Sequence, residues 1–170
     1  NEESWELALP VTDFTQRELV EGAEPSEKTE VRIVYTDESI FIGIICHDSR
    51  PGEIVNSQMR YDSELEQDDS FAVVLDPFND QRTGYYFAIN PNGARQDAIF
   101  SDVEHMNEDW NTVWDVAAAI TDTGWTAEIE IPFLSLRFPD SDSQRWGINF
   151  RRIMRSRNEE VLWSAWGRDD

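Results

Sequence analysis

Lysine is nearly missing from this chain: Lys28 is the single one, and every other cation is an arginine. Against 35 Asp and Glu, 14 cations leave a formal charge of −21 over 170 residues. Nucleic acids and anionic lipid surfaces are held by cations that displace counterions, so this balance argues against both as partners. Cysteine is also scarce. Cys46 stands alone, which excludes an intrachain disulfide and leaves it the role of a small hydrophobe in a strand. No run of about 18 apolar residues occurs, so no helix of this domain inserts in a membrane. The chain opens Asn1-Glu2-Glu3, without Met or an apolar signal core, and we expect a targeting segment to have been removed. Gly-x-Ser-x-Gly, His-Glu-x-x-His and phosphate-cradling loops are missing as well, which removes the commonest signatures of hydrolases, zinc proteases and nucleotide enzymes.

What remains is apolar enough to fold: 39 % hydrophobic and 12 % aromatic residues suit one packed domain over residues 1–170. Helical periodicity is nearly absent, and period-two alternation dominates. It predicts strands at 31–35, 40–47, 70–76, 84–90, 94–100, 113–121, 124–131, 146–154 and 161–166. Turn sequences such as Asp76-Pro77-Phe78-Asn79-Asp80 and Asn90-Pro91-Asn92-Gly93 connect them. Residues 63–69 read as a charged loop with room for one helical turn, and 132–136 as a short helix or turn. Side chains alternate across a strand, so Phe71, Val73, Leu75, Tyr85, Phe87 and Ile89 form core faces while Ala72, Ala88, Tyr86 and Asn90 share the opposite face. Short antiparallel strands joined by such turns define an all-β protein, an antiparallel β-sandwich with long loops.

In order along the chain, Trp5, the segments 29–35 (TEVRIVY), 40–44 (IFIGI), 69–76 (DSFAVVLD), 84–86 (GYY), 124–132 (GWTAEIEIP) and 146–150 (WGINF) resemble family 9 carbohydrate-binding modules. Asp68-Asp69-Ser70, Trp110-Asn111-Thr112-Val113-Trp114-Asp115 and the segment 133–138 (FLSLRF) resemble most the branch found at the N-terminus of bacterial outer-membrane proteins with a barrel-like C-terminal region. The resemblance implies a carbohydrate-binding-module or immunoglobulin-like sandwich, exported to the periplasm, outer membrane or medium, that clamps a saccharide between aromatic rings, often with structural calcium. It also implies departures. Sugar-clamping members carry an acid where this chain has Ala72, an aromatic near Glu66 and an arginine near Ala88, so the clamp is either rebuilt or lost. The family continues with a further strand after the stretch matching 163–170, which implies an incomplete or borrowed strand here.

Sugar rings stack C–H faces on aromatic rings and need fixed polar partners at their edges. Among seven tryptophans, Trp125 and Trp146 read as core; Trp110 and Trp114 mark a strand entrance, and Trp166 a second wall. The candidate site is therefore Trp110, Trp114 and Trp166 for stacking, with Arg60, Asn90 and Arg95 as polar contacts to a polysaccharide or oligosaccharide. Arg151, Arg152, Arg155 and Arg157 concentrate late in the chain, either as a cationic groove for anionic sugars or as braces to Asp62, Asp69, Asp97 and Glu159. The small residues Ala72 and Ala88 predict a concavity, with arginine as its filler. Calcium takes six to eight oxygens, and Asp76, Asn79 and Asp80 are the best candidates, followed by residues 63–69. Asp68 and Asp69 are no glycosidase pair, because neighbours on a strand point apart. His47 and His105 with Met59, Met106 and Met154 leave haem a minor alternative. The expected function is non-catalytic saccharide binding within a larger polypeptide, and the rival is a structural or docking domain of a periplasmic or outer-membrane protein without a sugar ligand.

Overall fold

The computed structural model describes residues 2–61, 64–102 and 105–164. Among these residues eleven strands follow a short helix α1 (Glu2–Leu7): β1 (Thr15–Glu18), β2 (Thr29–Tyr35), β3 (Ser39–His47), β4 (Ser70–Asp76), β5 (Gly84–Ile89), β6 (Arg95–Asp102), β7 (His105–Asn107), β8 (Asp115–Thr121), β9 (Gly124–Pro132), β10 (Gly147–Met154) and β11 (Glu159–Leu162). They form a seven-stranded sheet in the order β1-β11-β10-β4-β5-β6-β7 and a four-stranded sheet in the order β2-β3-β9-β8. Every pairing is antiparallel, and the all-β sandwich expected from the alternation is present. Short 3-10 turns occupy Leu65–Gln67 and Phe133–Ser135, where single turns were expected.

Three elements escaped the sequence pattern. Helix α1 is one; β1 reads Thr-Gln-Arg-Glu with every residue half-buried, so no alternation marks it. β7 is three exposed residues long. β1 and β7 lie at the edges of their sheet, where packing selects fewer residues.

The core lies between the inward faces. Ile42, Ile44, Ile129 and Ile131 of the smaller sheet meet Phe71, Val73, Phe87 and Phe150 of the larger one, all essentially inaccessible. Trp125 is buried in this core, and Trp146 packs on its edge against Phe133 and Phe138. Truncating one such aromatic costs about 3–5 kcal/mol. At the β8–β9 hairpin Gly124 has φ +139°, and a Cβ there would collide with the Cys46 carbonyl oxygen, so only glycine fits.

The two sheets are joined at one end by Arg152, which is wholly buried. Its Nη1 donates to the Lys28 carbonyl and to Thr29 Oγ1, both at 3.1 Å, and its Nη2 to the His47 carbonyl at 2.7 Å. Arginine braces are thus present; of the acids expected to take part, Asp97 and Glu159 have other partners, and Asp62 lies outside the described residues. Arg151 and Arg17 meet Glu160 at 2.8 and 3.4 Å, and Arg157 meets Glu27 and Asp48. Asp97 instead accepts from Tyr61 Oη and the Thr112 amide, and Glu159 from the Ser26 amide. Arg151 and Arg152 do not cluster, because adjacent strand residues face opposite ways.

Candidate functional site

The outer face of the seven-stranded sheet carries the alanines expected to open a concavity. Arg151, Ala72, Ala88 and Gln96 stand side by side across β10, β4, β5 and β6. The concavity is filled, though not by arginine. Leu65, from the 3-10 turn, is 2 % exposed and packs on Ala72, Ala88, Ala94 and Tyr86, while Arg151 turns to Glu160. An apolar side chain seats on an alanine floor without desolvating a charge, which arginine could not do.

That loop is anchored by carboxylates. Asp68 is buried and accepts four hydrogen bonds: from the Ser57 amide (3.0 Å) and hydroxyl (2.6 Å), the Gln58 amide (2.8 Å) and Asn90 Nδ2 (2.8 Å). Burial raises the Asp68 pKa, but these donors outweigh it and the net shift is downward. Asp69 points the other way, accepting from the Arg155 amide at 3.0 Å, so the two neighbours do diverge, although both precede β4 in the extended chain that follows the 3-10 turn. Asn90 is fully buried; its Nδ2 also donates to the Gln58 carbonyl, and its Oδ1 accepts from the amides of Asn92 and Ala94. It organises the β5–β6 turn and has no capacity left for a ligand, contrary to the expectation for it.

Trp110, Trp114 and Arg95 do come together, at one end of the sandwich. Arg95 lies on the inward face of β6, its guanidinium 4.9 Å from the Tyr61 ring centroid and 5.4 Å from that of Trp114. It donates to the Trp114 carbonyl and pairs with Asp115 at 3.5 Å. Trp114 is 2 % exposed and packs edge-on against Phe87 at 5.1 Å. Its ring is core, not a platform, because position 114 points inward as the chain enters β8. Arg95 and Tyr61 clasp the 55–69 loop to that entrance, and Arg60, the residue before Tyr61, is exposed there. Trp166 lies outside the described residues.

Trp110 differs from Trp114. Half-buried, it rests 5.2 Å from Tyr85 and 6.3 Å from Phe87 and lines an open depression of about 320 Å³ with Tyr85, Leu134, Leu136 and Arg137. The Arg137 amide donates to Tyr85 Oη at 2.8 Å, and its guanidinium has no partner among the described residues. Leu134 is fully exposed. Arg137 and Leu134 were not among the candidates, although they sit in the segment 133–138 quoted for its resemblance; a turn residue carries no alternation that would reveal its direction.

The residues expected to hold calcium fit it poorly. Asp80 accepts from the amides of Arg82 and Thr83 and from Thr83 Oγ1, all within 2.9 Å, and those amides hold its carboxyl below the usual range. Asp76 Oδ2 accepts from the Gln81 amide, which leaves Asp76 Oδ1 as the buried carboxylate oxygen without a protein partner. Exposed Asn79, at φ +51°, supplies the bend of the turn. Asp76 Oδ1 and the Asn79 amide oxygen are the side-chain oxygens of this set without a hydrogen-bond partner among the described residues, fewer than the six to eight oxygens that calcium takes. Among the described residues no three His, Cys, Asp or Glu side chains gather as a metal site.

No protein-family model and no curated protein matches the chain. Solved structures do match in fold. A protein of Bacteroides uniformis described as carbohydrate-binding aligns at 13 % identity and TM-score 0.69, covering 94 % of this chain and 80 % of its own. A family 9 carbohydrate-binding module of Caldicellulosiruptor kristjanssonii in complex with glucose aligns at 14 % identity and TM-score 0.67, covering 94 % and 75 %. The same organism's module in complex with cellotriose gives 13 %, 0.65, 94 % and 74 %. The class defined by the fold is thus the two-sheet antiparallel sandwich. Within it, the arrangement is similar to that of these family 9 carbohydrate-binding modules.

Proposed function

We propose that this chain is a non-catalytic module that binds a saccharide in the depression beside Trp110. One observation carries the reading: an accessible tryptophan ring and an unpartnered guanidinium, Arg137, line the same open hollow in a fold that its neighbours use to hold glucose and cellotriose. The ring supplies the C–H stacking surface, and Arg137 supplies hydrogen-bond donors to hydroxyl or carboxylate oxygens. Asp68 and Asp69, the one acidic pair weighed for catalysis, are buried and point apart, which supports a binding role over hydrolysis. Export to the periplasm, outer membrane or medium, within a longer protein, belongs to the same proposal and is checked by fractionating cells that make the natural gene product.

Calorimetric titration with cellotriose, xylotriose and oligogalacturonides tests the site. Trp110→Ala is expected to weaken binding about tenfold, since ring stacking contributes about 0.5–1.5 kcal/mol beyond the area it covers. Wild-type affinity in the variant, or no binding of any oligosaccharide by the wild type, refutes it. The second reading, a protein-docking domain, is favoured by the exposed apolar side chains of Leu134, Val113 and Phe138 near the hollow and by the plugged alanine face. It predicts that Leu134→Asp abolishes partner capture while sugars have no effect.

A further inference from the structure

The outer face of the four-stranded sheet holds a second hollow, of about 410 Å³. Strand register sets Arg32, Gly43, Glu128 and Ala117 side by side across β2, β3, β9 and β8, with Thr126 and Ala119 in the adjoining row. Three consecutive atoms of the Trp5 benzene ring lie 3.1, 3.2 and 3.3 Å from the position a Cβ would take on Gly43. An edge-on ring would put its middle atom well ahead of the other two, so Trp5 lies face-on over Gly43. Any side chain at position 43 would lift it.

Polar groups around this hollow are uncommitted. The Trp5 indole N–H, the Glu128 carboxylate and Thr126 Oγ1 have no hydrogen-bond partner among the described residues, and Glu128 is exposed. Arg32 pairs loosely with Glu30, at 3.6 Å. In a chain of charge −21 the lining has one cation and one anion, which suits a neutral ligand. Donors, an acceptor and a hydroxyl around an aromatic wall match the chemistry of a sugar, whose hydroxyls both donate and accept. A peptide strand has less to bind, because the hollow lies across the sheet face and the main-chain groups of β3 and β9 already pair within the sheet.

We infer that this hollow is a second saccharide site, for a neutral pyranose seated on the outer face of the four-stranded sheet against the edge of the Trp5 ring, apart from the Trp110 depression at the end of the sandwich. The inference rests on the carbohydrate-binding reading and makes the module bivalent, so that a polymer engaging both hollows is held more tightly than an oligomer.

The test is an ¹⁵N-resolved NMR titration of the wild-type chain with cellotriose, xylotriose and maltotriose up to about 10 mM, the weak end of sugar affinity. Saturable shifts of the Trp5 indole, Gly43, Ala117 and Ala119 with at least one of these sugars support the inference. Ala117→Arg, which fills the hollow from an exposed position, should abolish these shifts and leave those at Trp110 unchanged. Glu128→Ala, at an exposed side chain, should weaken them about fivefold by removing one acceptor. Shifts at Trp110 with none at Trp5 overturn the second site and leave the first standing. Shifts at Trp5 without Trp110 support this site and overturn the first. Silence at both with all three sugars overturns both, as does persistence of the Trp5 shifts in Ala117→Arg for this site alone.

Discussion

Replacing Arg152 by methionine removes the buried guanidinium that joins the sheets while keeping most of its volume. Three charge-assisted hydrogen bonds vanish, to Lys28, Thr29 and His47, and each acceptor at the end of the smaller sheet loses one donor, although the Lys28 carbonyl keeps the His47 amide. Each such bond contributes about 1.5–3 kcal/mol, offset by the cost of desolvating the guanidinium. The nearby carboxylate decides the outcome. Asp69 is 1 % exposed and keeps one buried oxygen, Oδ2, without a partner, and the Arg152 charge is among the groups that favour its ionised form. Without Arg152 that charge loses its compensation, which costs about 3–5 kcal/mol and lowers Tm by roughly 10 °C or more in a chain of this length, whereas Asp48 keeps its pair with Arg157. Burial raises the Asp69 pKa, with Arg152 among the groups that lower it, so the variant should raise it further. A carboxyl with a raised folded pKa binds more protons folded than unfolded, so stability falls as pH rises from the unfolded toward the folded value. The penalty of Arg152→Met should therefore be smaller near pH 4.5 than at pH 7.5, and Asp69→Asn should recover part of it in a double-mutant cycle. Thermal and urea melts followed by circular dichroism read both effects. A loss below about 1 kcal/mol at neutral pH, or a penalty that grows in acid, refutes the assignment of Arg152 as a charge-compensated inter-sheet brace.

Asp68 titrates in the opposite sense. Its folded pKa lies below the ordinary carboxylate range, so its stabilisation is complete above the unfolded pKa and is lost as pH falls through the folded one. Asp68→Asn, which turns an amide toward donors, should cost about 2–3 kcal/mol at pH 7 and much less below pH 3; a pH-independent difference in melts would contradict this. Cys46 is inaccessible, and burial pushes its thiol up to about 11. Iodoacetamide at pH 8 should leave it unmodified until urea unfolds the chain, and mass spectrometry showing rapid native alkylation would refute its place in the core.

The strands were legible because burial on one face imposes a period of two. Phe71, Val73 and Leu75, and Tyr85, Phe87 and Ile89, face the core as the alternation requires, and the turn at Asn90 closes the hairpin it announced. Alternation also foretold that Asp68 and Asp69 diverge. It could not rank Trp110 against Trp114, since both precede β8 in irregular chain where no period fixes direction; packing against Phe87 buries one and leaves the other half-open. Nor could it reveal Arg137, whose availability depends on which carboxylates reach it.

By itself the sequence determined the acidic charge, the β class, the inward faces and the turns, all properties of neighbours along the chain. Only the tertiary structure decided that Leu65 fills the alanine floor, that Asn90 and Asp68 serve the loop, that Arg152 crosses between sheets, and that Trp5 lies over Gly43. Each of these contacts joins residues remote in sequence. Side-chain hydrogen bonds and apolar contacts act over a few ångströms of space, whatever the separation along the chain.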